Sequence, residues 1–332
     1  MGKYLLLSSV ALLLASCQPA SESAVDPAEF NGRWNLTVPG DERGRAWWLE
    51  VSGAGSDGAL TGQFVGPPGG GMYTPGEMSI RDGQLTFVFN RRYGVPGDDM
   101  PMGERPERRG VYTAKLAGER IEGTFEVEGH PETRVEWHGE RAPVITDKDD
   151  GSWKEGEPVV LFNGKDLSGW QGVIPGRELG WSVENGVLVN DPPANNLVSE
   201  QKFWNFKLHA EYRLFEHSNS GFGLRGRYEV QVFEDYGKPP SKQGHGAIYY
   251  RIVPTENASL PIGEWQTMDV TLIGRDVTVV LNGKTIIDKA EIEGLTAVAT
   301  DAHEDQPGPI QIQGDHRKIE IRKLTVTPLT QG

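Results

Sequence analysis

Glycine or proline interrupts this chain about once in every five residues, with 43 Gly and 22 Pro among 332. Long helices do not survive such spacing, since each interior Gly costs about 1 kcal/mol and each Pro about 3. The segments left between the breaks are short and alternate polar with apolar residues, so the chain is expected to be all-β. Its length suits about two domains. Nine Trp, nine Tyr and eleven Phe supply the apolar area that a disordered chain lacks. A formal net charge of −14 makes the protein a poor polyanion binder and sets nucleic acid aside as a partner. One cysteine excludes an internal disulfide framework and a Cys-cluster zinc site.

That cysteine has a telling position. Met1-Gly2-Lys3 opens onto an apolar stretch from Tyr4 to Ala15, too short to span a bilayer of about 30 Å but suited to a secretory leader. The stretch ends Leu14-Ala15-Ser16-Cys17, which resembles the bacterial lipobox, where the cysteine is acylated and becomes the first mature residue. Residues 1–17 are therefore expected to be a lipoprotein signal and 18–29 a Ser/Ala/Pro tether. The body would then be exported, anchored to a membrane through Cys17, and periplasmic or at the cell surface. Gln18 after the cysteine favours the outer membrane in a Gram-negative host.

Residues 30–142 read as a small β-barrel or meander. Runs such as Trp47-Trp48-Leu49-Glu50-Val51 and Leu85-Thr86-Phe87-Val88-Phe89 are separated by Gly-Asp, Asp-Gly and Pro-Gly turns. The charged, Pro/Gly-rich loop 95–109 reads as mobile or as the rim of a site. Residues 143–157, with Asp147-Lys148-Asp149-Asp150-Gly151, form a polar linker. From 158 to 329 strand-like runs return, at 206–214, 221–233, 247–253, 266–272, 277–281 and 319–327. Asn185-Gly186 and Asn282-Gly283 between such runs signal two-residue hairpins. So many strands without helical periodicity point to a two-sheet sandwich.

Alternation sorts the polar residues of this second domain onto faces. Leu224, Tyr228, Val230 and Val232 share one face of the 221–233 run, and Arg225, Arg227, Glu229 and Gln231 the other. Gly221, Gly223 and Gly226 thin the side-chain cover there and suit close approach by a ligand. In the 206–214 run His209, Glu211 and Arg213 oppose Leu208, Ala210 and Tyr212. Gln311 and Gln313 alternate with Ile310 and Ile312, with His316 close behind. Together these offer carboxylates, amides, a guanidinium and an imidazole to one concave face. An ordinary solvated sheet face is the plain alternative.

Several blocks resemble the DUF1080 family, associated with 3-keto-disaccharide hydrolases. They include Leu161-Phe162-Asn163-Gly164-Lys165-Asp166-Leu167-Ser168-Gly169-Trp170, Asn219-Ser220-Gly221 through Tyr228-Glu229-Val230-Gln231-Val232, Gly246-Ala247-Ile248-Tyr249, Gly263-Glu264-Trp265, and Gly308-Pro309-Ile310 leading to Gln313 and His316. The resemblance covers about half of the chain and leaves the amino-terminal domain outside. It implies a concanavalin A-like jelly roll and exported proteins acting on sugars oxidised at C3. The family often carries Asp directly after the Gln-Val pair, where this chain has Phe233-Glu234-Asp235.

A ketone at C3 acidifies the C2 proton, so a base can remove it and the C1–O bond can break by β-elimination. Water then adds to the unsaturated sugar, for net hydrolysis. This needs a base near C2, an electrophile at the C3 oxygen and an acid for the leaving oxygen. The base is assigned to Glu229 or, failing that, Glu211. Arg225 is placed near the developing enolate or holding the neighbouring carboxylate, and His316 and Tyr249 are candidates for proton delivery. Gln231, Gln313, Asn219 and Arg227 bind sugar hydroxyls, and Trp265 serves as an apolar platform or as core. A conventional jelly-roll glycoside hydrolase would instead use Glu211 and Glu229 as paired carboxylates. A carbohydrate-binding lipoprotein without catalysis would need only the amides and aromatics. No cofactor is firmly expected. Asp301, His303, Glu304 and Asp305 crowd a loop whose oxygens suit a hard cation such as calcium, or simply solvent.

Overall fold

The computed structural model describes residues 25–332. The leader, the lipobox with Cys17 and most of the expected tether lie outside the described residues. The end of that tether is ordered: Pro27–Phe30 forms a 3-10 turn, capped by Asp26 and seated by the wholly buried Phe30.

The amino-terminal domain is one antiparallel sheet of nine strands. Its order is Met72–Tyr73, Thr61–Val65, Ala46–Ser52, Gly32–Thr37, His130–Arg141, Arg120–Val127, Arg108–Ala117, Gln84–Arg91 and Glu77–Arg81. Phe64 and Phe87 stand six strands apart in this order, about 29 Å on a flat sheet at about 4.8 Å per strand. Their rings nevertheless lie 5.3 Å apart. The sheet therefore curls on itself, as strand twist allows, and closes round an aromatic core that includes Trp34, Trp47, Tyr112 and Phe125. The loop from 95 to 109 is pinned rather than free, because the Arg108 guanidinium forks onto Asp98 at 2.8 and 2.9 Å.

The second domain is a sandwich of two antiparallel sheets, as its alternation and turn spacing predict. The larger runs Trp181–Glu184, Val187–Asn190, Ile319–Gln331, Phe206–Leu214, Trp265–Ile273, Asp276–Leu281 and Lys284–Glu291. Two short strands, Trp153–Glu155 and Val159–Val160, pair along Ile319–Gln331, so the expected linker is partly built into this sheet. The smaller runs Trp170–Gly172, Leu197–Phe203, Gly308–Ile312, Asn219–Leu224 and Tyr228–Phe233. Asn185-Gly186 and Asn282-Gly283 close two-residue hairpins, all four residues at positive φ, as a type I′ turn requires.

Two runs differ from expectation. Residues 221–233 are two strands of a hairpin, turned at Arg225 (φ 53°) and Gly226 (φ 64°), with the Arg227 N–H donating to the Leu224 carbonyl at 3.0 Å. Residues 247–253 form turns with an isolated bridge between Ile248 and Ile252, and Tyr250 sits at φ 59°.

One strand joins the two bodies. In Ala46–Ser52 the side chains of Trp47, Leu49 and Val51 enter the amino-terminal core, while Ala46 and Trp48 enter the core of the sandwich. The strand's first four residues are buried on both faces, which explains the hydrophobic run from Ala46 to Leu49. Trp48 lies under the Arg251 guanidinium, 4.0 Å from the ring, and fills the space a side chain at Gly294 would need. Beside it, Asn35 donates to the buried Glu304 carboxylate at 2.7 Å, which Arg275 and Tyr228 also hold, at 3.0 and 2.6 Å. Wild-type protein is therefore expected to unfold in one transition, and Trp48→Ala to cost about 3–5 kcal/mol in a denaturant titration. Two well-separated transitions in the wild type would contradict a shared core.

Candidate active site

The smaller sheet turns its polar face toward the amino-terminal domain. In Tyr228–Phe233 the side chains of Tyr228, Val230 and Val232 point into the sandwich core with no exposure, so Glu229 and Gln231 point the other way. Beyond the intervening Asn219–Leu224 strand, Gly308–Ile312 adds Gln311, and the turn after it adds Gln313, Asp315 and His316. Glycines clear the surface between them. A Cβ at Gly221 would lie 2.6 Å from Glu229 Oε1, and one at Gly223 would lie 2.7 Å from Gln311 Cβ. Neither glycine has positive φ. They are needed for space, and the space is taken by the Glu229 and Gln311 side chains.

Above this floor lies a cavity of about 260 Å³, roofed by amino-terminal residues that include Arg43, Arg45, Trp47 and Pro67. Its size is near the small end for ligand pockets. Glu229 is 3% exposed, and its carboxylate has no ion pair or hydrogen bond among the described residues. Only its backbone is held: its N–H donates to Thr296 Oγ1 at 2.9 Å, and its carbonyl accepts from the Tyr249 N–H at 3.0 Å. Burial pushes the carboxyl up to about 8, and the nearby Asp315 charge adds to the rise. Burial also raises the Tyr249 phenol.

Asp315 behaves in the opposite way. Burial alone would raise it, but the hydrogen bond to His316 Nδ1 at 2.7 Å and the charges of His316 and Arg43 outweigh burial and hold it below the usual carboxylate range. Asn196 fixes this turn by accepting the N–H groups of Gly314 and Asp315 at 2.8 and 3.2 Å. Three amide oxygens, Gln231 Oε1, Gln311 Oε1 and Gln313 Oε1, are buried without a donor among the described residues. Each orphaned acceptor costs about 1–3 kcal/mol. With Glu229, the lining is rich in acceptors awaiting O–H or N–H donors, as the hydroxyls of a sugar would supply.

The cavity thus gathers Glu229, Gln231, Gln313, Asn219, Tyr249 and His316 from the residues singled out in the sequence. It does not gather four others. Glu211 stands on the larger sheet, bonded by Arg322 at 2.6 Å and flanked by Lys323 and His209. Trp265 is on that sheet too, its ring under the Arg213 and Arg322 guanidiniums at 4.9 and 4.4 Å. Alternation along a strand sorts faces but cannot say to which sheet the strand belongs. Arg225 is carried off by its turn: it is buried, stacks 3.8 Å from Trp204 and donates to the Trp204 carbonyl at 2.6 Å, and burial pulls it down to about 10. Arg227 pairs with Asp301 at 2.7 Å. A paired-carboxylate mechanism using Glu211 with Glu229 is therefore corrected, because the two stand on different sheets.

The acidic loop 301–305 has two of its carboxylates held by protein. Asp301 is bound by Arg227, and Glu304 by Arg275. Among the described residues no three His, Cys, Asp or Glu side chains converge as metal ligands. Sequence reasoning missed Asp315, Asn196 and every amino-terminal contributor. The polar flank of His316 was a signal for Asp315, but nothing in the sequence announced that Arg43 and Arg45 meet it.

A sequence profile described as a 3-keto-alpha-glucoside-1,2-lyase-like domain matches residues 157–327, which is the sandwich without the amino-terminal sheet. A curated relative from Bacteroides thetaiotaomicron, named 3-keto-disaccharide hydrolase, is 22% identical over 39% of this chain, and the chain spans 57% of that relative's length. Two crystal structures from Parabacteroides distasonis, provisionally described as glycosyl hydrolases, are also similar. One is 29% identical, covering 56% of this chain and 91% of the other, with a TM-score of 0.46. The second is 22% identical, covering 52% and 94%, with a TM-score of 0.42. The matched profile takes in just over half of the sequence, and the chain belongs to the 3-keto-alpha-glucoside-1,2-lyase-like domain family.

Proposed function

We propose that this protein cleaves glycosides of 3-keto sugars, with Glu229 as the base that removes the C2 proton. The observation that carries this is a buried carboxylate without a partner, facing a small cavity lined by unpaired amide acceptors. A carboxyl raised to about 8 is a far stronger base than an ordinary one once ionised. The family match and the name of the Bacteroides relative support the substrate class.

The steps balance as follows. Glu229 takes the C2 proton, the C2–H electron pair forms a C1–C2 double bond, and the C1–O bond leaves with its electrons. His316, oriented by Asp315, protonates the departing oxygen. The Tyr249 phenol, kept protonated by its raised pKa, donates a hydrogen bond to the C3 oxygen as negative charge builds there. This replaces Arg225, which the fold takes elsewhere. Water then adds across the double bond, its oxygen to C1 and a proton to C2, for net hydrolysis. Gln231, Gln311 and Gln313 accept hydrogen bonds from ring hydroxyls. On the same reading the enzyme works outside the cytoplasm, tethered through an acylated Cys17, with the Leu14-Ala15-Ser16-Cys17 sequence as support.

With a 3-keto-glucoside as substrate, Glu229→Gln is expected to lower kcat by about 10²–10⁴-fold, and wild-type product formed in deuterium oxide should carry deuterium at C2. Undiminished turnover removes Glu229 as base, and product without the label removes elimination. The pH dependence has a definite sign. Glu229 acts only when ionised and His316 only when protonated, so kcat/KM should pass through a maximum, with loss of ionised Glu229 causing the fall on the acid side.

Stability should move the other way. The unfolded chain releases this proton near the ordinary value of 4.5, and the folded one near 8, so the folded state loses stability as pH rises between them. Glu229→Gln should abolish that loss, gaining a few kcal/mol at pH 8 and little at pH 4; an equal gain at both would contradict the raised ionisation. For the anchor, Cys17→Ser should stop incorporation of labelled palmitate and move the protein to the soluble fraction, whereas unchanged labelling would exclude acylation there.

A further inference from the structure

The family match stops at the sandwich, yet the roof of the cavity comes from the amino-terminal sheet. The loop between Gly32–Thr37 and Ala46–Ser52 is wound round Asp41, whose carboxylate accepts the Arg43 and Arg45 N–H groups at 2.9 and 3.2 Å and the Arg45 guanidinium at 3.1 Å. Gly44, at φ 63°, lets the loop pass close to Thr300, where a Cβ would come 3.2 Å from the Thr300 carbonyl oxygen. The Ala46 N–H then donates to the Ala299 carbonyl at 2.9 Å. So seated, Arg43 reaches across the domain boundary and bonds Asp315 Oδ2 at 2.9 Å. The other Asp315 oxygen holds His316 Nδ1 at 2.7 Å. The Asp315 side chain is nine-tenths buried, so its charge needs that cation.

We propose that the amino-terminal domain is a working part of this site, in which Arg43 is a positioning residue that holds Asp315, and through it His316, against the cavity and screens the Asp315 charge from Glu229. The titratable groups lining the cavity are few. Asp315 and His316 come from the turn after Gly308–Ile312, Tyr249 from the 247–252 turns, and Arg43 and Arg45 from the roof, with Glu229 itself in the floor. Arg45 is engaged by Asp41. With His316, Arg43 is thus a cation bonded directly to the carboxylate whose field raises Glu229. Without it His316 is left to offset the Asp315 charge alone, and more of that charge acts on Glu229.

The kinetic arm of the test rests on Glu229 being the base, and a spectroscopic arm does not. Full-length protein labelled with carbon-13 at the glutamate carboxyl gives the Glu229 ionisation midpoint directly, its resonance being the one lost in Glu229→Gln. Arg43→Met is expected to raise that midpoint by about half a unit, Asp315→Asn to lower it, and Arg43→Lys to keep it near wild type. In the pH–rate profile with a 3-keto-glucoside, Arg43→Met should then be about threefold slower than wild type on the acid limb, beyond any loss at the optimum.

Midpoints that stay put in both Arg43→Met and Asp315→Asn overturn the proposal, as does a uniform loss of rate that Arg43→Lys does not restore. Should the midpoints move while wild type cleaves no 3-keto-glucoside, the coupling stands and the assignment of the reaction falls.

Discussion

A residue in a strand has two directions to face, and in Tyr228–Phe233 both are committed. Tyr228, Val230 and Val232 must enter the sandwich core, which leaves Glu229 and Gln231 no choice but the opposite side. That side is covered by another domain, so the carboxylate is buried without the ion pair that usually accompanies burial. Everything proposed for the chemistry descends from this arrangement. The glycines at 221 and 223 make room for it, and the backbone bonds to Thr296 and Tyr249 keep the strand in register.

The same two-sidedness builds the roof. Ala46–Ser52 gives alternate residues to two cores, so Trp47 and Trp48, adjacent in sequence, belong to different domains' interiors. A roof attached in this way has a fixed height over the floor. The Arg43–Asp315 bond and the Asn35–Glu304 bond then close the seam with charge-assisted contacts, one at the cavity and one beneath it. A domain hung on a flexible linker would offer no such precision, and the strand Trp153–Glu155 within the expected linker shows how little slack remains.

Much of this was legible in the sequence, for local reasons. The two Asn-Gly pairs set their hairpins because type I′ turns demand positive φ at both positions, and the period of two in 206–214 and 228–233 marked the inward residues correctly. The cavity residues Glu229, Gln231, Gln313 and His316 followed from that period together with the family resemblance. What failed was long-range. Nothing local tells that Phe206–Leu214 lies in the opposite sheet from Tyr228–Phe233, which is why Glu211 and Trp265 were grouped with a site they do not reach. Arg225 was misplaced because one continuous strand was read where Gly226 makes a turn. Arg43 was invisible, since its partner Asp315 lies 272 residues away.

The proposed chemistry requires that the side chain at 229 meet C2 of a 3-keto sugar. A crystal structure of the Glu229→Gln variant, soaked with a 3-keto-glucoside, reads that position. C2 is expected within about 3.5 Å of the side chain at position 229, with ring hydroxyls on the amides of Gln231, Gln311 and Gln313. A sugar seated elsewhere, or turned so that C2 faces away from that side chain, would contradict it.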